Sequence, residues 1–140
     1  MTTHMGQTPD NHVTLNPIGG SAARFSRIGP DGLPLGSDFT VPAGQVFVVT
    51  DVDWQFGGGP RRGTVTLSIF LRPIADPAED GNRVFESTIV LSNDGKGGIS
   101  ESMTSGFVVS SAGYMHVETD GGGGGTLSHM VIRGYLCEES

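Results

Sequence analysis

Hydrophobic and polar residues alternate with a period of two along most of the chain, which is typical of β-strands whose successive side chains point to opposite faces. The clearest stretches are residues 45–56, QVFVVTDVDWQF, and residues 64–71, TVTLSIFL. β-Branched and aromatic residues, which favour strands, dominate both. The same pattern predicts strands at Ala22–Ile28, Val84–Leu91, Gly106–Ser110, Tyr114–Thr119 and Thr126–Leu136, with short edge strands at Ser37–Val41 and Ile99–Met103. No segment carries a sustained helical stripe.

Turn-forming sequences separate these segments at intervals of roughly 8–12 residues, a spacing typical of all-β sandwiches and barrels. They include GPDG at 29–32, GGGP at 57–60 and NDG at 93–95. With about eight main strands, the chain is predicted to be all-β, a two-sheet antiparallel β-sandwich of jelly-roll type. An immunoglobulin-like sandwich is the alternative, but the single cysteine, Cys137, excludes its Cys–Trp–Cys arrangement. We expect residues 1–20 to be a flexible N-terminal arm and residues 21–140 to be one domain.

The alternation also predicts which side chains are buried. The predicted core consists of Val46, Val48, Val52, Trp54, Val65, Leu67, Ile69, Met130 and Ile132. Phe47, Val49 and Phe70 then point away from the core. Because soluble monomers seldom leave such an apolar patch in water, these three residues are predicted to form an interface in a homo-oligomer. Coverage by loops of the same chain is the competing explanation.

The five consecutive glycines at 121–125 interrupt this pattern before the last strand. They are predicted to form a flexible surface hairpin, because a run of glycines loses much backbone entropy on ordering. The alternative is a close backbone approach at a contact between subunits.

The net charge of the chain limits the classes of partner that we expect it to bind. Fifteen acidic residues against eight basic ones give a net charge of -7, which argues against nucleic acid and anionic membranes as partners. No apolar run approaches the roughly 20 residues of a membrane-spanning helix, so no membrane insertion is expected. No signal peptide is visible, and we expect a cytoplasmic protein or a mature secreted form. Arg61 and Arg62 form a basic pair that a partner contact, salt bridges or a ligand would explain equally well.

No catalytic motif emerges from the sequence. The chain lacks the G-x-S-x-G nucleophile elbow, and its four histidines lack metal-ligand spacing. We therefore predict that the protein is not an enzyme and needs no cofactor. If a cation is bound, calcium is expected in one acidic loop, with a solvated hairpin as the alternative. Its oxygen ligands would be Asp76, Glu79, Asp80 and Asn82.

A carbohydrate site would need outward-facing aromatic rings that stack on sugars. Tyr114, His116 and Tyr135 share the outward register and are the predicted ligand-binding residues. An ordinary polar outer face is the alternative.

Three short phrases carry a resemblance to a known group of proteins. Val41-Pro42-Ala43-Gly44, Ser111-Ala112-Gly113-Tyr114 and Gly134-Tyr135-Leu136 each accompany a strand, and together they resemble the layout of small bacterial and phage jelly-roll proteins over residues 37–136. Several similar folds are trimeric or filament-building units, so the resemblance implies a jelly roll with a non-enzymatic role. The predicted function is a structural or interaction module that self-assembles. The alternative is a carbohydrate-binding, lectin-like module that calcium assists.

Overall fold

The computed structural model describes residues 11–139, which form nine β-strands and no helix, and thus no helix that could cross a membrane. The strands are β1 (His12–Pro17), β2 (Phe25–Ile28), β3 (Pro34–Asp38), β4 (Gln45–Gly57), β5 (Thr64–Pro73), β6 (Asn82–Val90), β7 (Gly97–Ser110), β8 (Gly113–Asp120) and β9 (Thr126–Glu138). The two segments predicted at Ile99–Met103 and Gly106–Ser110 are parts of the single strand β7.

The strands form two sheets. The larger has the order β3-β2-β1-β9-β4-β7, the smaller has the order β6-β5-β8, and every neighbouring pair is antiparallel. From β6 onward, consecutive strands alternate between the sheets, which is a sandwich pattern and not that of a meander. The predicted all-β sandwich of two antiparallel sheets is confirmed.

The predicted boundary of the N-terminal arm is wrong. Residues 12–17, assigned to the arm, form β1, which lies between β2 and β9 inside the six-stranded sheet. Val13 and Leu15 are fully buried in the core. Two apolar residues among polar ones are too short an alternation to identify a strand from the sequence, and the pairing of β1 with β2 and β9 supplies the remaining stabilisation. Residues 1–10 of the predicted arm lie outside the described residues.

The core lies between the two sheets and is bridged by one buried hydrogen bond. Trp54 Nε1 on β4 donates to Ser87 Oγ on β6, at 2.9 Å. The hydroxyl of Ser87 gives the indole N–H a partner inside an otherwise apolar interior, where an unpaired donor would cost about 1–3 kcal/mol. Burial is confirmed for seven predicted core residues: Val52, Trp54, Val65, Leu67, Ile69, Met130 and Ile132.

A β-bulge at Thr50 reverses which alternate side chains of β4 point into the core. Val49 is opposite Gly134 of β9 and Asp51 is opposite Arg133, so Thr50 is one extra residue on β4. Because side chains alternate with period two, one extra residue moves every later side chain to the other face. Residues 47 and 49 before the bulge and residues 52 and 54 after it therefore all point into the core.

The bulge overturns part of the core prediction. Phe47 and Val49, predicted to point away from the core, are fully buried in it, so they do not form an exposed interface. Val46 and Val48, predicted to be core residues, instead lie on the outer face of the six-stranded sheet and outside the core cluster. The prediction assumed an unbroken alternation through residues 45–56.

Glycines on both neighbouring strands accommodate the bulged backbone. A Cβ on Gly134 of β9 would lie inside van der Waals contact distance of the carbonyl oxygen of Val48. A Cβ on Gly106 of β7 would do the same to the carbonyl oxygen of Val49. Gly106 also has a φ of 71°, which side chains disfavour. The bulge therefore depends on a missing side chain on each side.

The glycine run at 121–125 is packed against its own chain. A Cβ on Gly122 would overlap the ring of Phe56, and one on Gly125 would lie 2.7 Å from the carbonyl oxygen of Gly57. Gly122 is buried, whereas Gly123 and Gly124 are exposed. The prediction of a loose surface hairpin is therefore wrong, and the close approach that replaces it is made within one chain.

We expect the substitution Gly134→Ala to destabilise the protein by about 1–3 kcal/mol, because the new methyl group overlaps the Val48 carbonyl in a packed strand. Gly124→Ala is the matched control. A Cβ there meets nothing within 4 Å, so its effect should stay within about 0.5 kcal/mol. Urea unfolding of both variants measures the difference, and equal midpoints would contradict the role assigned to Gly134.

Candidate functional site

The outer face of the six-stranded sheet carries an apolar patch, formed by Val46, Val48, Val108 and Tyr135. Val48 of β4 lies directly between its two pairing partners, Val108 of β7 and Tyr135 of β9. Val46, one position further along the same face, is opposite Cys137. The patch therefore extends over three adjacent strands at the end of the sheet where β4 begins.

The side chains of the apolar patch differ in exposure. Val108 on the edge strand is 50% exposed, whereas Val48 is 9% exposed. Val46 and Tyr135 are half-buried. A contiguous apolar surface of this kind is a common mark of a protein–protein contact.

Sequence reasoning assigned Val46 and Val48 to the core and missed Val108. The sequence signal that could have indicated the bulge was Gly134 within the last predicted strand, because an isolated glycine in a strand often marks a bulge or a close backbone approach.

A polar cluster continues the same face beyond the bulge; its members are Asp51, Asp53, Ser100, Ser102 and Arg133. The carboxylate of Asp51 accepts hydrogen bonds from Ser102 Oγ at 2.5 Å and from Thr50 Oγ1 at 2.7 Å. That of Asp53 accepts one from Ser100 Oγ and lies 3.5 Å from the Arg133 guanidinium. The hydrogen bonds from Ser102 and Thr50, with the positive charge of Arg133, hold the pKa of Asp51 below its ordinary value.

The structure separates the three predicted ligand-binding residues. Tyr114 and His116 lie on β8, on the outer face of the three-stranded sheet, whereas Tyr135 lies on β9 in the other sheet. The prediction that all three form one site is therefore wrong. His116 is opposite Phe70 of β5, the third predicted interface residue, which is half-buried there.

Charged side chains surround Tyr114 and His116. Arg72 is opposite Tyr114 on the neighbouring strand. The Oε2 atom of Glu118 lies 3.4 Å from Arg72 Nη2 and 3.3 Å from His116 Nε2. This face of β5 and β8 thus combines aromatic rings with hydrogen-bonding groups.

The predicted calcium ligands all lie in the exposed segment between β5 and β6 or at its end. Arg72 Nε donates to the Asp80 carbonyl at 3.0 Å, and the Glu79 N–H donates to the Asp76 carbonyl, also at 3.0 Å. Within residues 11–139, no three His, Cys, Asp or Glu side chains are grouped so as to hold a metal ion. A calcium site at Asp76, Glu79, Asp80 and Asn82 stays a prediction to which the positions of these carboxylates add no support.

The lowered pKa of Asp51 predicts an acid-dependent stability. Its ionised form is favoured in the folded state, so its contribution is complete above the unfolded pKa and is lost as the pH falls through the lower folded pKa. Asp51→Asn should lower the melting temperature at pH 7 and reduce the loss of stability below pH 4. Asp76→Asn, at an exposed position, is the control. Melting curves from pH 7 to pH 2 measure both; parallel profiles for Asp51→Asn and the unmodified protein would contradict the assignment.

No family model and no curated protein matches the sequence, whereas fifteen chains of solved structures resemble the fold. One is the Eiger TNF of S. frugiperda, which aligns over 97% of this chain and 91% of that chain, with a TM-score of 0.51 and 10% sequence identity. At this identity the likeness concerns the fold alone. It confirms the jelly-roll layout on which the sequence resemblance rested, and it does not concern a bacterial or phage origin.

Proposed function

We propose that the chain is a non-catalytic interaction module that assembles into a homo-oligomer through the apolar patch. The observation that carries the proposal is the row formed by Val48, Val108 and Tyr135, which directs apolar side chains away from the core on three paired strands. Burying such surface is worth roughly 25 cal/mol per Å², from which the entropic and desolvation costs of association are subtracted. The jelly-roll fold shared with a TNF is compatible with an interaction module.

The charges on this face favour a second copy of the chain as the partner. The net charge of -7 opposes association of two copies through most of the surface. Next to the apolar patch, however, Arg133 lies within ion-pair distance of Asp53 and contributes to the field at Asp51. Arg133 thus offsets part of the negative charge of Asp51 and Asp53 where two copies would meet. A face that carries both signs can contact itself without strong repulsion.

The edges of the six-stranded sheet are poorly suited to assembly by strand pairing. Edge strand β3 contains Pro34, which has no N–H, and Gly36 with a φ of 99°. On the other edge, β7 is irregular near Gly106 and places Glu101 opposite the core residue Val52. The Oε2 atom of Glu101 is buried without a hydrogen-bond partner among the described residues. Charged side chains that point inward and irregular edge strands discourage edge-to-edge pairing. We therefore place the proposed contact between subunits on the outer face of the six-stranded sheet.

Val108→Asp should convert the oligomer to a 14.6 kDa monomer at micromolar concentration, because it puts a carboxylate at the most exposed residue of the apolar patch. Val90→Asp is the matched control, since Val90 is 69% exposed on β6 of the other sheet and should leave assembly unchanged. Sedimentation velocity distinguishes the two. A monomeric unmodified protein, or equal behaviour of the two variants, would remove the proposal.

Cys137 provides a second measurement without any substitution. It is the one cysteine of the chain, and it lies on the same face, opposite Val46. Its rate of reaction with a maleimide should fall as the protein concentration rises through the assembly range, and it should stay constant in Val108→Asp.

Carbohydrate binding is the second candidate function. Of the predicted ligand-binding residues, Tyr114 and His116 are retained in this site, and Phe70, which is opposite His116, is added to them. Their placement on one face, with the ion pair of Arg72 and Glu118 beside them, favours it, because sugar sites combine stacking rings with charged hydrogen-bonding groups. A glycan array probed with the unmodified protein and with Tyr114→Ala tests this function. A hit that Tyr114→Ala weakens about tenfold would support it, and a silent array would eliminate it.

A further inference from the structure

Two arginine side chains converge at the tip of the turn between β4 and β5. Arg61 Nε and Arg62 Nε both donate to the same atom, Asn93 Oδ1, at 3.3 Å and 2.9 Å. Asn93 lies in the turn between β6 and β7, and both arginines are exposed. Two like charges are therefore held side by side, which is unfavourable unless a negative charge compensates them.

No carboxylate among the described residues provides that compensation. Arg24, Arg72, Arg83 and Arg133 each lie within ion-pair distance of an acidic side chain, whereas Arg61 and Arg62 do not. Salt bridges, one of the three explanations open from the sequence, are thus not found in the part of the chain that the structure describes. The acceptor that the two arginines share, an amide oxygen, carries no charge.

The backbone beneath the arginines is fixed and strained. Arg62 has a φ of 57°, and it is the one non-glycine residue in the left-handed region within residues 11–139. Such a conformation is strained for a residue with a side chain and is often found at functional sites. Two hydrogen bonds tie the two turns together: the Arg62 N–H donates to Ser92 O at 3.2 Å, and the Gly59 N–H donates to Gly95 O at 3.1 Å.

We propose that Arg61, Arg62 and Asn93 form a binding site for a tetrahedral oxyanion, the phosphate or sulfate group of a small ligand. Each guanidinium uses Nε for Asn93 and keeps its two terminal nitrogens as a fork for oxygen acceptors. Two forks fit the three terminal oxygens of a phosphate or sulfate ester better than the two oxygens of one carboxylate.

The neighbouring charges limit the ligand to a compact one. Lys96 lies in the same turn as Asn93 and adds a third positive charge, whereas Asp94 between them adds a negative one. Because the chain as a whole carries -7, an extended polyanion would be repelled beyond this small positive region. A single oxyanion group needs only the two guanidinium groups.

The site is independent of the proposed assembly. The turn at 57–63 follows the end of β4, whereas Val48 of the apolar patch lies nine residues before Gly57, about 30 Å away along an extended strand. A protein that is monomeric would therefore still bind the anion, and one that fails to bind it would still assemble.

Titration of the full chain with inorganic phosphate, inorganic sulfate and acetate, followed by amide chemical shifts, tests the site. We expect saturable shifts at residues 59–63 and 92–96 with phosphate or sulfate at millimolar concentration, and weaker ones with acetate. Arg61→Gln and Arg62→Gly should each weaken binding about tenfold or more, since each removes a charge-assisted fork. Glycine at 62 accepts the positive φ, so the turn is retained.

Arg83→Gln is the matched control, because Arg83 is also exposed but is paired with Glu86 at 2.6 Å. It should bind the anions as the unmodified protein does. Tighter binding of phosphate than of sulfate would assign the ligand to the phosphate class, and the reverse would assign it to the sulfate class. Absence of saturable binding by both anions, equal binding of acetate, or equal loss in Arg83→Gln would overturn the proposal.

Discussion

The one extra residue at Thr50 determines which surfaces this sandwich buries and which it presents. β4 is the strand that joins β9 to β7, so a change in its facing affects the whole sheet. Before the bulge, Phe47 and Val49 fill one end of the core; after it, Val52 and Trp54 fill the other. The same reversal puts Val46 and Val48 on the outside. An apolar outer patch is thus a direct consequence of keeping the core continuous through the bulge.

The bulge is in turn made feasible by Gly134 and Gly106. The carbonyl oxygens of Val48 and Val49 occupy space that a Cβ on either neighbouring strand would need. Glycine weakens a strand through its backbone entropy, so a glycine on each strand next to β4 carries a cost that the packing must offset. The bridge from Trp54 to Ser87 lies in the core just beyond this point and links β4 to the opposite sheet.

The two ends of β4 have different chemistry. At its start, apolar side chains extend over three strands and are followed by two carboxylates whose charge Arg133 partly offsets, which suits a contact with a second chain. At its end, close-packed glycines from two loops surround Phe56, and the next turn holds two arginines that have no acidic partner within residues 11–139. This separation would allow one end of a small domain to assemble while the other binds a ligand, as proposed. A likeness in fold to a TNF cannot supply either assignment, because function depends on the residues at the sites.

Period-two alternation and turn glycines determined the all-β class and the two-sheet sandwich, because these signals are local. They also determined the burial of Trp54, which follows the bulge in β4, and of Leu67 on β5. The face of Phe47 and Val49 was decided by the tertiary structure, since the one-residue insertion in β4 is defined only by its pairing with β9. Pairing also made a strand of the short segment His12–Pro17. The division of Tyr114 and Tyr135 between two sheets, and the meeting of Arg61 and Arg62 at Asn93, likewise depend on which strands become neighbours. The sequence determines which face of its strand a residue lies on only where the alternation is unbroken. Pairing between distant strands determines the face beyond a bulge and which strands become neighbours.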